Sequence, residues 1–342
     1  MEINMKNITK VGLSALAGTL AFTSANAGEV SISGSMITSY TKKGGYSTNG
    51  NPLGMSKALT VTASGELDNG VSVAYKQTIT DAMGYNDSEL VFTGVPMLGD
   101  ATLAMTSTGS PIDAIDDKTP IAFEEANAGV GSVKDVSGVN GTYGLRYTLA
   151  DMAGTGIKLD AMYVYAHGAG DAAAEKGSDA GTPGNEDGYD IVLSGAVPGV
   201  AGLSFGLGYS NKNVEAIAAV GEADQHEGTA YLTYAVGSFT IGAQKGVVEN
   251  PGVTAAAWDT LYTNEYLGIS YAVSDNVSIS YNEIESNKNS GGTNVDQDID
   301  SISLSYTSGG MTIGIMDQEA DNASYTSARK QSARAIQMTV AF

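Results

Sequence analysis

Val30-Ser-Ile-Ser-Gly-Ser-Met-Ile-Thr-Ser-Tyr40 sets the reading of the whole chain. Val30, Ile32, Gly34, Met36 and Tyr40 alternate with Ser31, Ser33, Ser35 and Ser39. Successive side chains of an extended strand point to opposite faces, so this period of two gives one apolar face and one hydroxyl face. The alternation recurs downstream. Leu59, Val61 and Ala63 alternate with Thr60, Thr62 and Ser64; Leu203, Phe205, Leu207 and Tyr209 alternate with Ser204, Gly206, Gly208 and Ser210. The chain ends the same way, on Ile336, Met338, Val340 and Phe342.

Sixteen such segments can be read along the sequence. Short links such as Asp68-Asn-Gly70, Val236-Gly-Ser238 and Ser308-Gly-Gly310 carry the residues that accept tight-turn dihedrals. They alternate with longer polar links at 41–56, 80–88, 107–138, 167–187, 212–227, 246–261, 286–298 and 317–328. The expected fold is therefore all-β, one domain, with short turns at one end and longer loops at the other.

The N-terminus reads differently. Lys6 and Lys10 precede an uncharged run from Val11 to Gly28 that ends in Ala25-Asn-Ala27. That order is the basic, apolar and small-residue cleavage pattern of a secretory signal peptide, expected at residues 1–27 and leaving 28–342 as the barrel.

Composition narrows the class. The 17 Lys+Arg face 38 Asp+Glu, a formal net charge of −21, which excludes a nucleic-acid partner held through phosphates. There is no Cys, so no thiolate site or disulfide. The 44 Gly disfavour a helical fold. Ile191 to Asn211 is 21 uncharged residues, a helix's worth of membrane span, but Gly195, Pro198, Gly199 and Gly202 interrupt it. Its period is two on both sides of the Pro-Gly, so it reads as two strands and a hairpin.

Period-two alternation fits a soluble secreted β-sandwich or adhesin as well as a membrane barrel. Charged residues are only 16% of the chain and fall mostly in the links, too few to coat a water-facing surface. Turn and loop lengths differ by end, as when one end faces the periplasm and the other the outside. The expected architecture is a 16-stranded antiparallel transmembrane β-barrel with short periplasmic turns and longer extracellular loops. A barrel of that size encloses water rather than a packed core.

The signal peptide, the opening Glu29-Val-Ser-Ile-Ser-Gly-Ser35 and the closing Ala335-Ile-Gln-Met-Thr-Val-Ala-Phe342 resemble those of the general diffusion porins of Gram-negative outer membranes, the alphaproteobacterial type in particular. The resemblance covers the mature chain in architecture. It implies a homotrimer in the bacterial outer membrane, in contact with lipid and lipopolysaccharide, and a third loop folded into the lumen. It also implies that Phe342 is the signal read by the barrel-assembly machinery. The longest link, Ser107 to Gly138, is the third. The Pro-Glu-Phe-Gly-Gly motif of many such loops is absent; Pro120-Ile-Ala-Phe-Glu-Glu125 is a loose echo.

Candidate site residues follow. The third loop carries Asp113, Asp116, Asp117, Glu124 and Glu125, and Asp135 beyond them. Lys76 and Arg146 share the polar parity of their strands and are expected on the pore wall, with Arg329 as a third base; Arg334 shares the parity of Phe342 and is expected to face outward. Asp296-Gln-Asp298-Ile-Asp300 opens like a calcium loop, but Ser301 stands where the glycine belongs and Thr307 where the last glutamate belongs. No cofactor is expected; a loosely held calcium ion at the acidic loops is the alternative to a solvated charge cluster. His167 and His226 fall in links without catalytic partners, so no enzyme activity is expected. The expected function is passive diffusion of small hydrophilic solutes and ions, with a modest cation preference. A substrate-selective channel is the alternative; an anion eyelet would need more Lys and Arg.

Overall fold

The computed structural model describes residues 28–47, 50–80, 85–139, 143–166, 185–214, 224–251, 260–291 and 293–342. The signal peptide and His167 lie outside the described residues. The strands are β1 (Val30–Gly45), β2 (Leu53–Glu66), β3 (Ser72–Ile79), β4 (Tyr85–Thr93), β5 (Thr102–Thr106), β6 (Gly144–Leu149), β7 (Ile157–Val164) and β8 (Asn185–Ala196). They continue as β9 (Leu203–Val214), β10 (Gln225–Val236), β11 (Phe239–Glu249), β12 (Thr260–Ser274), β13 (Val277–Ser290), β14 (Thr293–Ser308), β15 (Met311–Asp321) and β16 (Gln331–Ala341). Each pairs antiparallel with its sequence neighbours, and β1 also pairs with β16, so the sheet closes. This replaces the β-sandwich alternative, whose sheets would keep open edges.

Closure is made at a defined seam. Its register runs from Ser35 opposite Ala341 to Gly45 opposite Gln331. Gly34 and Phe342 extend it by exchanging two backbone hydrogen bonds, of 2.8 and 2.9 Å. The Phe342 ring lies against Gly34, where a Cβ would stand 2.7 Å from it.

The alternation read in the sequence becomes an outside and an inside. Leu232, Leu267, Ile302 and Ile336 point outward and leave half or more of their surface uncovered. A belt of this kind loses its cost only when lipid covers it. The inward neighbours, such as Ser280, Asn282, Ser303 and Gln318, are buried because a loop covers them from inside. Tight turns sit at Gly237 and Gly309, both at a positive φ near 58° that a residue with a Cβ rarely adopts.

The expected links were drawn too long on the outer side. β1 continues to Gly45 and β2 begins at Leu53, inside the 41–56 link. β13 and β14 run to Ser290 and from Thr293, so 286–298 is almost wholly strand. Lys212 and Glu227, expected in a link, lie in β9 and β10. Above the lipid both faces of a strand meet water, so polarity marks where the wall leaves the membrane, not where pairing ends.

The seam generates a prediction. Deleting Phe342 removes two seam hydrogen bonds and the ring, and Gly34→Val drives a side chain into it. Both variants should lower the yield of heat-modifiable folded barrel and its unfolding temperature in detergent, measured by gel mobility after graded heating. Wild-type yield and unfolding temperature in both would show that the seam does not control closure.

Candidate functional site

The link between β5 and β6 turns inward and runs along the inner wall from β8 to β16. It carries one turn of 3-10 helix at Asp113–Ile115. Wall side chains hold its backbone strand by strand. On β11, the Gln244 amide donates to the carbonyls of Ile115 and Asp116 at 2.8 and 2.6 Å and accepts from Lys118 N–H at 2.7 Å. Ser280 on β13 and Ser303 on β14 accept from the N–H groups of Ala122 and Phe123 at 2.9 and 3.1 Å. On β15, Gln318 accepts from Gly129 N–H and donates to Glu125 carbonyl, each at 2.8 Å. Asn264 and Asn282 donate to the carbonyls of Lys134 and Pro120 at 2.8 and 2.9 Å.

The returning limb ends on a buried ion pair. Glu227 of β10 accepts from the backbone N–H groups of Ser137 and Gly138 at 2.6 and 2.7 Å. Lys212 of β9 pairs with Glu227 at 2.5 Å and donates to Gly138 carbonyl at 3.1 Å. Both charges are buried, so each depends on the other and on the loop backbone. Apolar contacts finish the seat: Ile112, Ile115 and Val136 against Val192 and Val248, and Ala126 and Val130 against Tyr266, Ile284 and Ile299.

The wall makes room with glycine. A Cβ on Gly242 would stand 2.5 Å from the Pro120 ring, one on Gly268 would stand 2.9 Å from the Pro120 carbonyl, and one on Gly314 would enter the Phe123 ring. Inward glycines of β11, β12 and β15 thus mark the path of the loop.

The loop brings the predicted acids together. Asp117, Glu124 and Glu125 are exposed to the lumen, while Asp113, Asp116 and Asp135 are half-buried against the wall. Glu124 stands at φ 53° and accepts from Gln337 of β16 at 2.8 Å. Asp117, Glu125 and Asp135 border one small hollow beside Tyr266, whose hydroxyl donates to Asp135. Crowding opposes ionisation. Burial, and then the charges of Asp117, Asp113 and Asp135, push Asp116 up to about 9. Burial, with Glu125 and Asp117 behind it, pushes Asp135 up to about 7. Burial also raises Asp113 and Glu125 above the usual carboxylate range.

The basic residues are placed less simply. Lys76 points into the lumen from β3, in register with Thr62 on one side and Glu89 on the other. Glu89 accepts from the hydroxyls of Thr106 and Thr108 at 3.1 and 3.0 Å. Arg146 also points inward, but Asp160 takes its guanidinium through two bonds of 2.8 and 2.6 Å. Lys158 meets the same carboxylate at 2.7 Å. Arg329 departs from the expectation. It lies in the connection between β15 and β16, its guanidinium 4.1 Å from the centre of the Tyr46 ring, and not on a strand of the wall. Arg334 points outward and pairs with Asp317, its Nε at 3.0 Å. The wall at β1–β3 is instead a hydroxyl surface, with Ser33, Thr60 and Thr78 side by side and Ser31 beside Thr62.

The three acids of the calcium expectation do not lie in a loop. Asp296, Asp298 and Asp300 lie in β14 and share its outward face, in register with Asn287, Glu285 and Glu283. Spread along an extended strand, they do not converge. Among the described residues no three His, Asp or Glu side chains come together as metal ligands. His226 also points outward, its Nδ1 3.0 Å from the Tyr209 hydroxyl.

No family model and no curated relative matches the sequence. Solved structures do. The trimer form of OmpT, an outer membrane protein of Vibrio cholerae, is similar with a TM-score of 0.63 at 12% identity over 92% of this chain and 100% of that one. An anion-selective porin from Comamonas acidovorans gives 0.62 at 13% over 92% and 99%. A triple mutant of the Rh. blastica porin gives 0.60 at 13% over 92% and 100%. At such identities the likeness is one of fold: this chain has the closed 16-stranded barrel of the porins.

Proposed function

We propose that the protein is a non-enzymatic diffusion pore of the bacterial outer membrane, reached through the signal peptide at residues 1–27, that passes small hydrophilic solutes and favours cations modestly. The observation that carries this reading is the third loop, fastened across the inside of the barrel with Asp117, Glu124 and Glu125 toward the lumen. Acids on one side of a water-filled passage raise the local concentration of cations. The facing wall opposes this sign only weakly, because Asp160 is shared by Arg146 and Lys158 and Lys76 stands between Thr62 and Glu89. One neighbour of this fold is named anion-selective and another is a trimer form, so the sign of the passage rests here on this chain's own acids. A homotrimer, lipopolysaccharide contact and assembly through Phe342 belong to the same proposal.

Selectivity should follow ionised acids, not the number of acids. Asp117→Asn, Glu124→Gln and Glu125→Gln together should move the reversal potential under a KCl gradient toward zero at neutral pH. Asp116→Asn should leave it nearly unchanged there, because burial keeps that carboxyl protonated. Equal effects from both variants, or chloride preference in the wild type at low salt, would refute the electrostatic reading.

The pH dependence has a defined sign. Asp135 and Asp116 are raised from 3.8 to about 7 and about 9. Cation preference should therefore grow from pH 5 to pH 10 as these two ionise. The seated loop binds their protons more tightly than a solvated loop would, so seating is strongest below pH 4, weakens above it, and has lost the contribution of Asp135 by about pH 7 and that of Asp116 by about pH 9. Reversal potential and open-channel current noise should both rise across this window; a flat profile in both would remove the buried acids from the mechanism.

Glu227→Ala tests the clasp. It strands the buried Lys212 charge and two loop N–H groups, a loss of about 3–5 kcal/mol for a buried pair. The barrel should still fold, while the single-channel current becomes noisy and its mean conductance shifts. Wild-type traces would show that the clasp does not hold the loop.

A further inference from the structure

We propose that the outer wall over β9–β13 holds one acyl lipid whose headgroup carries a free amine. On this face Ala230 and Ala243 stand where their neighbours Leu207, Leu232 and Leu267 are large, which leaves an apolar hollow of about 790 Å³. A second apolar hollow of about 500 Å³, shared with the first at Leu232, Ala243 and Leu267, continues toward Leu203, Ile241 and Ile269. Together they form a trough along the membrane-facing wall, a shape that accepts a chain. Water does not fill it in lipid, and the side chains around it do not.

Charge selects the headgroup. The upper part of the trough is bordered by Lys245, Glu265 and Glu285, and Glu283 stands beside Leu267 where the two hollows meet. Lys245 is already paired with Glu265 at 2.5 Å. Glu283 and Glu285 have no ion-pair partner among the described residues, and each stands directly opposite another acid: Glu285 opposite Glu265 and Asp298, Glu283 opposite Asp300. Like charges directly across a sheet destabilise it, so this border favours a cation and opposes a bare phosphate. A second copy of the chain docked about a two-fold axis would set these acids against their own images. A metal bridge is disfavoured because no three carboxylates converge here. An ammonium, which needs only single contacts, satisfies the border while its acyl chain fills the trough. The inference rests on the wall facing lipid and is independent of what crosses the lumen.

The test uses the full chain in nanodiscs of phosphatidylglycerol and phosphatidylethanolamine with identical acyl chains, with EDTA present. Lipids retained after mild detergent extraction are counted by native mass spectrometry. Phosphatidylethanolamine should be retained about fivefold over phosphatidylglycerol, the scale of one exposed ion pair. Glu283→Gln with Glu285→Gln should abolish the headgroup preference and leave retention itself. Ala243→Phe should reduce retention of both lipids, with folding checked by heat-modifiable mobility. Equal retention of the two lipids, a preference that survives both Gln changes, retention unaffected by Ala243→Phe, or phosphatidylglycerol held only when calcium replaces EDTA would each overturn the proposal. Conductance measured on the same samples tests the pore reading separately.

Discussion

An unpaired backbone N–H or C=O inside lipid costs several kcal/mol, and this chain has one way to avoid that cost on every strand: β1 must find β16. The rest of the structure depends on that pairing. Sixteen strands joined only to their sequence neighbours make a sheet with two long open edges until the seam between Ser35 and Ala341 forms. Because β1 and β16 form the seam, the barrel cannot close before β16 is in place. The terminal Phe342 takes part twice, through its backbone bonds to Gly34 and through its ring against the same glycine.

Closure creates a lumen, and the lumen creates a second need. The third loop is long and would be a floppy plug without anchors. It is held by neutral amides and hydroxyls over most of its path and by one buried ion pair where it returns. Neutral partners suit this role. They satisfy the loop backbone without placing fixed charge in the passage, so the sign of the passage is left to the acids of the loop.

The wall was readable in the sequence because its cause is local: a period of two needs no knowledge of distant partners. Ile302, Leu304 and Tyr306 announce an outward face wherever the strand ends up. The hairpin in Ile191–Asn211 was readable for the same reason. Pairings across the lumen were not. Nothing near Arg146 in sequence says that Asp160 will neutralise it, beyond their shared polar parity one hairpin apart. Arg329 was expected on the wall because a basic residue near the last strand invites that reading; its stacking on Tyr46 depends on a contact between opposite ends of the chain. Lys212 and Glu227 fall within an expected link because polarity does not mark where pairing ends. One signal was present and unused. Gly242, Gly268 and Gly314 interrupt the polar face of their strands, and an inward glycine on a wide barrel indicates something lying close against it.

The acids of the loop limit one another. Each carboxylate added to a half-buried cluster raises the pKa of its neighbours, through burial first and mutual repulsion second. Asp116, with Asp117, Asp113 and Asp135 around it, holds its proton well above neutral pH. The acids that keep contact with water are Asp117, Glu124 and Glu125, and burial raises the last of them as well. Asp116, held in the wall, serves the opposite purpose: while protonated it places no charge against the side chains that half-bury it. A single run of acidic sequence is thus divided by burial into a half-buried part held against the wall and an exposed part that faces the passage. Composition alone could not make that division, since it counts both parts as the same residues.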